Sequence, residues 1–340
     1  MKKLILTLIC LFMCFALAED TLLCDTAFHG CKGLPIAWTA DTENAVAGFD
    51  VYLSGETTPV FSDCSGERVI CYVPQTAGQY FAICTLENGE TLLSEEVSVA
   101  EKLYMGVYEQ DGDPEAEELI EWTVLGVEDG KALLISKYIL HNNSYFNPWW
   151  IKYKYTYWAK SYIGDFPTNY WGSQPEDPSR RYDIYGPEGI LMEDKTRGTE
   201  EDLYMSELHC RYWCNYIFYE QAFSEEDKTR ILLTHNTNPD NPDSHVAGGP
   251  DTDDYVFFLS YEELNRYMPT ADSRKCAQTE AAKREGKNNQ GSYWWLRTPG
   301  QFRVNAMYVY GSNGHITTYG SDVGHDMVGY RPCVWIRIGG

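Results

Sequence analysis

The chain has 340 residues, with 50 acidic side chains against 27 basic ones and a net charge of −23. So acidic a surface argues against nucleic acid and anionic membrane as partners. The length fits two domains better than one.

Residues 1–18 read as a secretory signal peptide. Lys2 and Lys3 form the charged region, Leu4 to Phe15 the apolar region, and Ala16-Leu17-Ala18 the small-residue cleavage site. The apolar run is short for a transmembrane span. A secreted or extracellular cell-envelope location is therefore expected, with no membrane span after signal removal. Removing the leader takes away two lysines and no acid, which makes the chain more acidic still.

Nine cysteines follow the leader: 24, 31, 64, 71, 84, 210, 214, 276 and 333. Export permits disulfides. Cys24/Cys31 and Cys64/Cys71 are spaced to close small loops, although spacing alone fixes no connectivity. No C-x2-C repeat or short Cys/His set suggests a metal site.

Residues 19–100 read as all-β. Pro35 to Thr39, Gly48 to Leu53 and Tyr80 to Leu86 are short strands rich in aromatic and β-branched residues. Glu87-Asn88-Gly89-Glu90 is a hairpin turn, and turn cues about every ten residues suggest a sandwich. Near residue 100 the texture changes. Trp122 to Ser136 predicts a hairpin about Asp129-Gly130. Leu203 to Phe218 has helical spacing. Ser224 and Ser260 are placed to cap helices, the second over Tyr261 to Met268. Val256 to Ser260 reads as a strand.

Thr76-Ala77-Gly78-Gln79-Tyr80 and the strand after it resemble the penultimate strand of bacterial immunoglobulin-like and fibronectin-like modules. Further motifs lie downstream: Glu121 to Leu125, Lys131 to Leu140, Trp213-Cys214-Asn215, Ala222 to Glu226, Asp251 to Ser260, Arg274-Lys275-Cys276, Trp294 to Arg297 and Gly329 to Pro332. In this order they resemble a domain family of unknown function common in exported proteins of Gram-positive gut anaerobes, over residues 104–338. Residues 145–200 look like an enlarged insertion in it, and Cys214 stands where an aliphatic residue is expected. Gly291-Ser292-Tyr293 and Gly329-Tyr330-Arg331 also resemble the motifs of the C-type-lectin-like fold of formylglycine-generating and sulfatase-modifying enzymes. The resemblances imply an N-terminal all-β immunoglobulin-like sandwich, 19–100, followed by an α+β C-type-lectin-like domain, 101–340. The aerobic enzymes of that fold carry a reactive cysteine pair just after the first motif. Trp294 to Gln301 holds no cysteine, so their oxidation chemistry is not expected.

Beyond residue 100, 39 of 240 residues are Phe, Trp or Tyr. Tyr153, Tyr155 and Tyr157 alternate with polar residues at strand period. On one face their rings would stand about 7 Å apart. They form either an aromatic binding platform or a hairpin packed on the core. Tyr308, Tyr310, Asn313, His315 and Tyr319 lie among glycines in the stretch that supplies ligand-facing loops in C-type-lectin-like folds. These residue types also suit adaptable binding loops. Trp294, Trp295, Arg297, Arg331 and Trp335 read as core, with arginines packed on tryptophan faces.

Residues 236–243 and 251–254 are rich in Asn and Asp and make calcium the one cofactor to consider, although no EF-hand spacing is present. No G-x-S-x-G, H-E-x-x-H or P-loop occurs. The reading is a secreted binding protein for a glycan, peptidoglycan fragment or protein. The alternatives are an extracellular polymer-acting enzyme with unassigned carboxylates and a structural envelope protein.

Overall fold

A computed structural model describes residues 20–25, 30–113, 115–143, 145, 210–249, 251–286, 292–302, 305–323, 325 and 327–338. The signal peptide and Tyr153, Tyr155 and Tyr157 lie outside the described residues. The chain divides into two compact units, one holding residues 35–99 with the strand before Thr26, the other holding residues 30–34 and everything from Ala100 onward.

The first unit contains two antiparallel sheets. One orders β1 (Thr21–Asp25), β2 (Ile36–Asp41) and β5 (Val69–Tyr72) with β2 in the middle. The other runs β4 (Phe61–Asp63), β3 (Val46–Leu53), β6 (Gly78–Leu86) and β7 (Thr91–Leu93), and β8 (Val97–Val99) also pairs with β6. This strand order is that of an immunoglobulin-like sandwich of the fibronectin type III kind. Strand β6 alternates strictly, with Tyr80, Ala82, Cys84 and Leu86 turned inward. They meet Trp38, Phe49, Val51 and Ile70 in one core. The Tyr80 hydroxyl donates to Thr76 O at 2.9 Å. That tyrosine corner ties the start of β6 to the chain just before it.

The second unit opens with β9 (Leu103–Tyr108), β10 (Glu118–Glu128) and β11 (Lys131–Ser136), and closes with β19 (Cys333–Arg337). They form an antiparallel sheet ordered β19-β11-β10-β9. Asp129 and Gly130 both take positive φ between β10 and β11, the turn that matches the strands' twist. A second sheet orders β12 (His141–Asn142), β18 (Val328–Tyr330), β15 (Tyr293–Pro299), β16 (Asn305–Tyr310) and β17 (Ile316–Asp322). A short pair, β13 (Thr234–Asn236) and β14 (Thr252–Asp254), stands apart from both sheets.

Among the described residues, helices are short. They are α1 (Cys210–Tyr212), a π-helical segment (Trp213–Phe218), α2 (Tyr219–Ala222), α3 (Glu225–Arg230), α4 (Tyr261–Tyr267), α5 (Ala271–Arg274) and α6 (Glu280–Glu285). Ser224 and Ser260 each form a capping box, reciprocated by Asp227 and Glu263. None of the described helices is long and apolar enough to cross a membrane.

Three expectations are corrected. Val256 to Leu259 is not a ladder strand. Only Phe257 bridges, to Cys333, and all four side chains are buried; the backbone bonds Cys333 and, through Leu259 O, Arg297 N, too briefly to make a ladder. The helix expected from Leu203 to Phe218 is described from Cys210, changes to π geometry at Trp213 and runs on to Ala222. No disulfide joins the nine described cysteines. Cys64 directly follows β4 of one sheet and Cys71 lies on β5 of the other, and both are exposed. Cys24 and Cys31 fall in different units.

Candidate functional site

The core of the second unit absorbs the tryptophan and arginine motifs. Trp294 and Trp295 are fully buried on β15, and Arg331 lies over the Trp294 ring at 4.9 Å. Arg297 is 1% exposed. Its Nη2 donates to Glu263 Oε1 at 2.9 Å and to Thr237 O at 3.0 Å, and Nη1 donates to Phe258 O at 2.7 Å. These arginines are structural.

Part of the Asn- and Asp-rich stretch is likewise committed to the fold. The buried Asp254 carboxylate accepts from Arg211 Nε at 2.6 Å, Asn215 at 3.1 Å, Asn236 at 3.1 Å and Thr252 at 2.7 Å. Asn215 also receives Tyr255 N and donates to Val256 O, so it clamps α1 and the π segment to this strand. The described acids whose oxygens do converge, within 4.8 Å, are Glu109 and Asp111 in the β9–β10 connection and Glu118 at the start of β10.

Tyr308, Tyr310, Asn313, His315 and Tyr319 lie on β16, on β17 or on the turn between them, and they separate into two groups. Tyr308 and Tyr310 pack with Tyr293 at ring distances of 5.0 to 5.6 Å, and His315 flanks Tyr310 at 5.8 Å. The Tyr308 hydroxyl donates to that of Tyr310 at 3.1 Å. Burial pushes the Tyr308 hydroxyl well above the ordinary tyrosine range, and the Tyr310 hydroxyl beside it adds to the shift. These rings are half-buried and turn their faces and edges to one another, which makes a packed wall. Asn313 serves the turn: its Oδ1 accepts from His315 N at 2.9 Å, the local bond that suits Asn to turns.

Tyr319 stands apart from that wall. It is 55% exposed and meets Phe302, 51% exposed, edge-to-face at 5.7 Å. Phe302 was not singled out by the sequence, because one Phe after a Pro-Gly turn has no periodic partner. Beside Tyr319 lies a groove of about 290 Å³ lined by Asn241, Asp243, Ser244, Gln301, Thr318 and Tyr319. Asn241 holds the groove together. Its Nδ2 donates to Pro299 O at 2.9 Å and to Thr318 O at 3.0 Å, while its Oδ1 accepts from Asp243 N and Ser244 N. The amide's capacity is filled. Gln301 N donates to Tyr319 O at 2.8 Å. Gly300 is required at the turn before it, since a Cβ there would lie 2.5 Å from Tyr319 O. The side chains of Asp243, Gln301 and Thr318 make no hydrogen bond among the described residues. The groove thus combines a rigid backbone frame, an exposed ring and uncommitted polar groups.

Residues 188–338 match DUF6273, a domain of unknown function. The matched stretch contains β13 to β19 and the Tyr319 groove; the motifs at 121–125 and 131–140 precede it. No curated protein matches the chain. Among solved structures, the fibronectin(III)-like modules of Clostridium thermocellum CbhA are 13% identical, over 34% of this chain and 84% of that one, with a TM-score of 0.22. The SGBP-B protein of the Bacteroides ovatus mixed-linkage glucan utilization locus, in complex with mixed-linkage heptasaccharide, is 17% identical. That likeness covers 38% of this chain and 40% of that one, with a TM-score of 0.18. Scores of this size leave function to be argued from the chain itself.

Proposed function

We propose that the chain is an exported recognition protein whose second unit binds extracellular carbohydrate. The observation that carries the reading is the exposed Phe302–Tyr319 pair beside a groove in which the Asp243, Gln301 and Thr318 side chains are uncommitted. Sugars present an apolar C–H face and a rim of hydroxyls. A tyrosine ring offers a flat apolar body with a polar tip at low entropic cost. Carboxylate, amide and hydroxyl groups beside it fix orientation, the division of labour seen in small-ligand sites. Export rests on the leader sequence. A C-type-lectin-like fold for the second unit is part of the same reading. It is supported by Tyr293 of the first motif and Gly329-Tyr330 of the second lying on neighbouring parallel strands, with Tyr293 beside Val328 and Trp294 beside Gly329.

The test is retention. Full-length protein without its leader is passed over a glycan array and over isolated bacterial cell walls. Specific retention on a carbohydrate supports the reading; folded protein that no glycan or wall fraction retains contradicts it.

A further inference from the structure

We infer that the Tyr319 groove takes the end of a short, soluble, uncharged glycan, and not the flat face of a packed polysaccharide. This deepens the carbohydrate reading and rests on it. The rings of Tyr319 and Phe302 stand at 87° to each other. Two rings at right angles cannot lie together against one plane, so they form a corner and not a platform. The groove, at about 290 Å³, falls just below the roughly 300–1,000 Å³ range of small-ligand sites. That is room for about one or two sugar rings.

The lining favours hydroxyls over charges. Asp243 has no ion-pair partner among the described residues, and a carboxylate accepts charge-assisted hydrogen bonds from neighbouring hydroxyls. Gln301 donates and accepts, and Thr318 does both through one oxygen. The described lining holds no Lys or Arg. The overall charge of −23 adds repulsion toward carboxylated chains.

The backbone argues against an extended peptide. Among the described residues strand β17 lies at the edge of its sheet, and such edges can accept an added strand through their free carbonyls and amides. Here the two carbonyls at the groove are already taken: Thr318 O by Asn241 Nδ2 and Tyr319 O by Gln301 N. What remains open is side-chain chemistry and a ring.

Calorimetric titration of the full chain tests this, using gluco-, manno-, xylo- and chito-oligosaccharides from disaccharide to hexasaccharide, with oligogalacturonates and a cell-wall peptide as competitors. Parallel pull-downs use microcrystalline cellulose and crystalline chitin. The expected result is affinity that stops rising, within about threefold, after the disaccharide or trisaccharide, with no retention on either crystal. Tyr319→Ala should weaken binding about tenfold or more, as for a hot-spot ring. Asp243→Asn, which keeps the shape, should weaken it several-fold and covers the case in which Tyr319→Ala folds poorly. Affinity that climbs steadily to the hexasaccharide, retention on a crystal, preference for oligogalacturonate, or indifference to both substitutions overturns the inference and leaves the carbohydrate reading standing. Tyr319-dependent binding of a cell-wall peptide in place of sugar overturns both, as does the absence of any glycan binding.

Discussion

Asn241 donates its side-chain amide to the carbonyl of Thr318 at 3.0 Å, and this bond joins the 241–244 loop to β17. The same amide reaches Pro299 O, and its oxygen receives two backbone N–H groups. A fully buried side chain that spends every bond on main chain acts as a substitute for local secondary structure. Asn241→Ala leaves buried groups unpaired, each costing about 1–3 kcal/mol. The urea midpoint should fall accordingly, and any glycan affinity should fall with it. A stability change within about 0.5 kcal/mol, the range of surface substitutions, would remove Asn241 from this role.

Arg297 and Glu263 give the second prediction. The guanidinium is buried while the carboxylate is 28% exposed on its side chain. Glu263 also reciprocates the Ser260 cap through a bond from Ser260 N to Oε2 at 2.8 Å. Glu263→Ala therefore strands a buried charge and opens a capping box. Breaking such a pair costs about 3–5 kcal/mol, and partial exposure of the acid places the effect toward the lower figure. Chemical denaturation reads it directly. A loss under about 1 kcal/mol, typical of exposed pairs, would show that water replaces the carboxylate.

His235 carries a pH prediction. Its Nδ1–H donates to Asp253 at 2.9 Å, and Asp251 lies 3.4 Å from Nε2. The hydrogen bond to Asp253 holds the imidazole above its ordinary value of 6.5, and the charges of both aspartates add to the effect. A raised folded-state value means the contribution to stability is complete below the unfolded-state value and is lost as pH rises through the folded one. The β13–β14 pair should thus loosen on the alkaline side of that titration. NMR titration of the His235 ring should give a midpoint above that of an unstructured peptide. A midpoint at or below the peptide's would show that the aspartates do not hold it.

Thiol reactivity separates the cysteines. Cys64 and Cys71 are exposed, whereas Cys214, Cys276 and Cys333 are buried. Burial pushes the thiols of these three of the six buried cysteines up, away from the reactive thiolate. Iodoacetamide labelling of reduced native protein, mapped by mass spectrometry, should modify Cys64 and Cys71 first. The buried three should react only after unfolding. Early labelling of Cys333 would contradict its place in the core.

Much of the fold is visible in local chemistry. The Asp129-Gly130 turn, the serine caps at 224 and 260 and the alternation of Tyr80 to Leu86 each leave a signal within a few residues, because a turn, a cap or a two-sided strand is a local event. The segment Val256 to Leu259 misleads for the same reason: an apolar run announces burial but not whether it pairs. The site was half legible. Tyr319 could be picked out among glycines and polar residues, but so could Tyr308 and Tyr310, and only tertiary packing decides which rings remain open. Asn241 had no signal of its own in a loop whose Asn and Asp content pointed only to calcium. Its partners Pro299 and Thr318 lie 58 and 77 residues away, beyond any local pattern.

The central claim is that carbohydrate binds at the Tyr319 groove. The most direct measurement is backbone NMR of the isotope-labelled chain, titrated with the oligosaccharide that retains it on the array. The account predicts that the largest amide shifts fall at Asp243, Ser244, Gln301, Thr318 and Tyr319, with Tyr308 and Tyr310 little changed. Shifts centred on the Tyr308–Tyr310–His315 wall or in the first unit, with the groove silent, would contradict it.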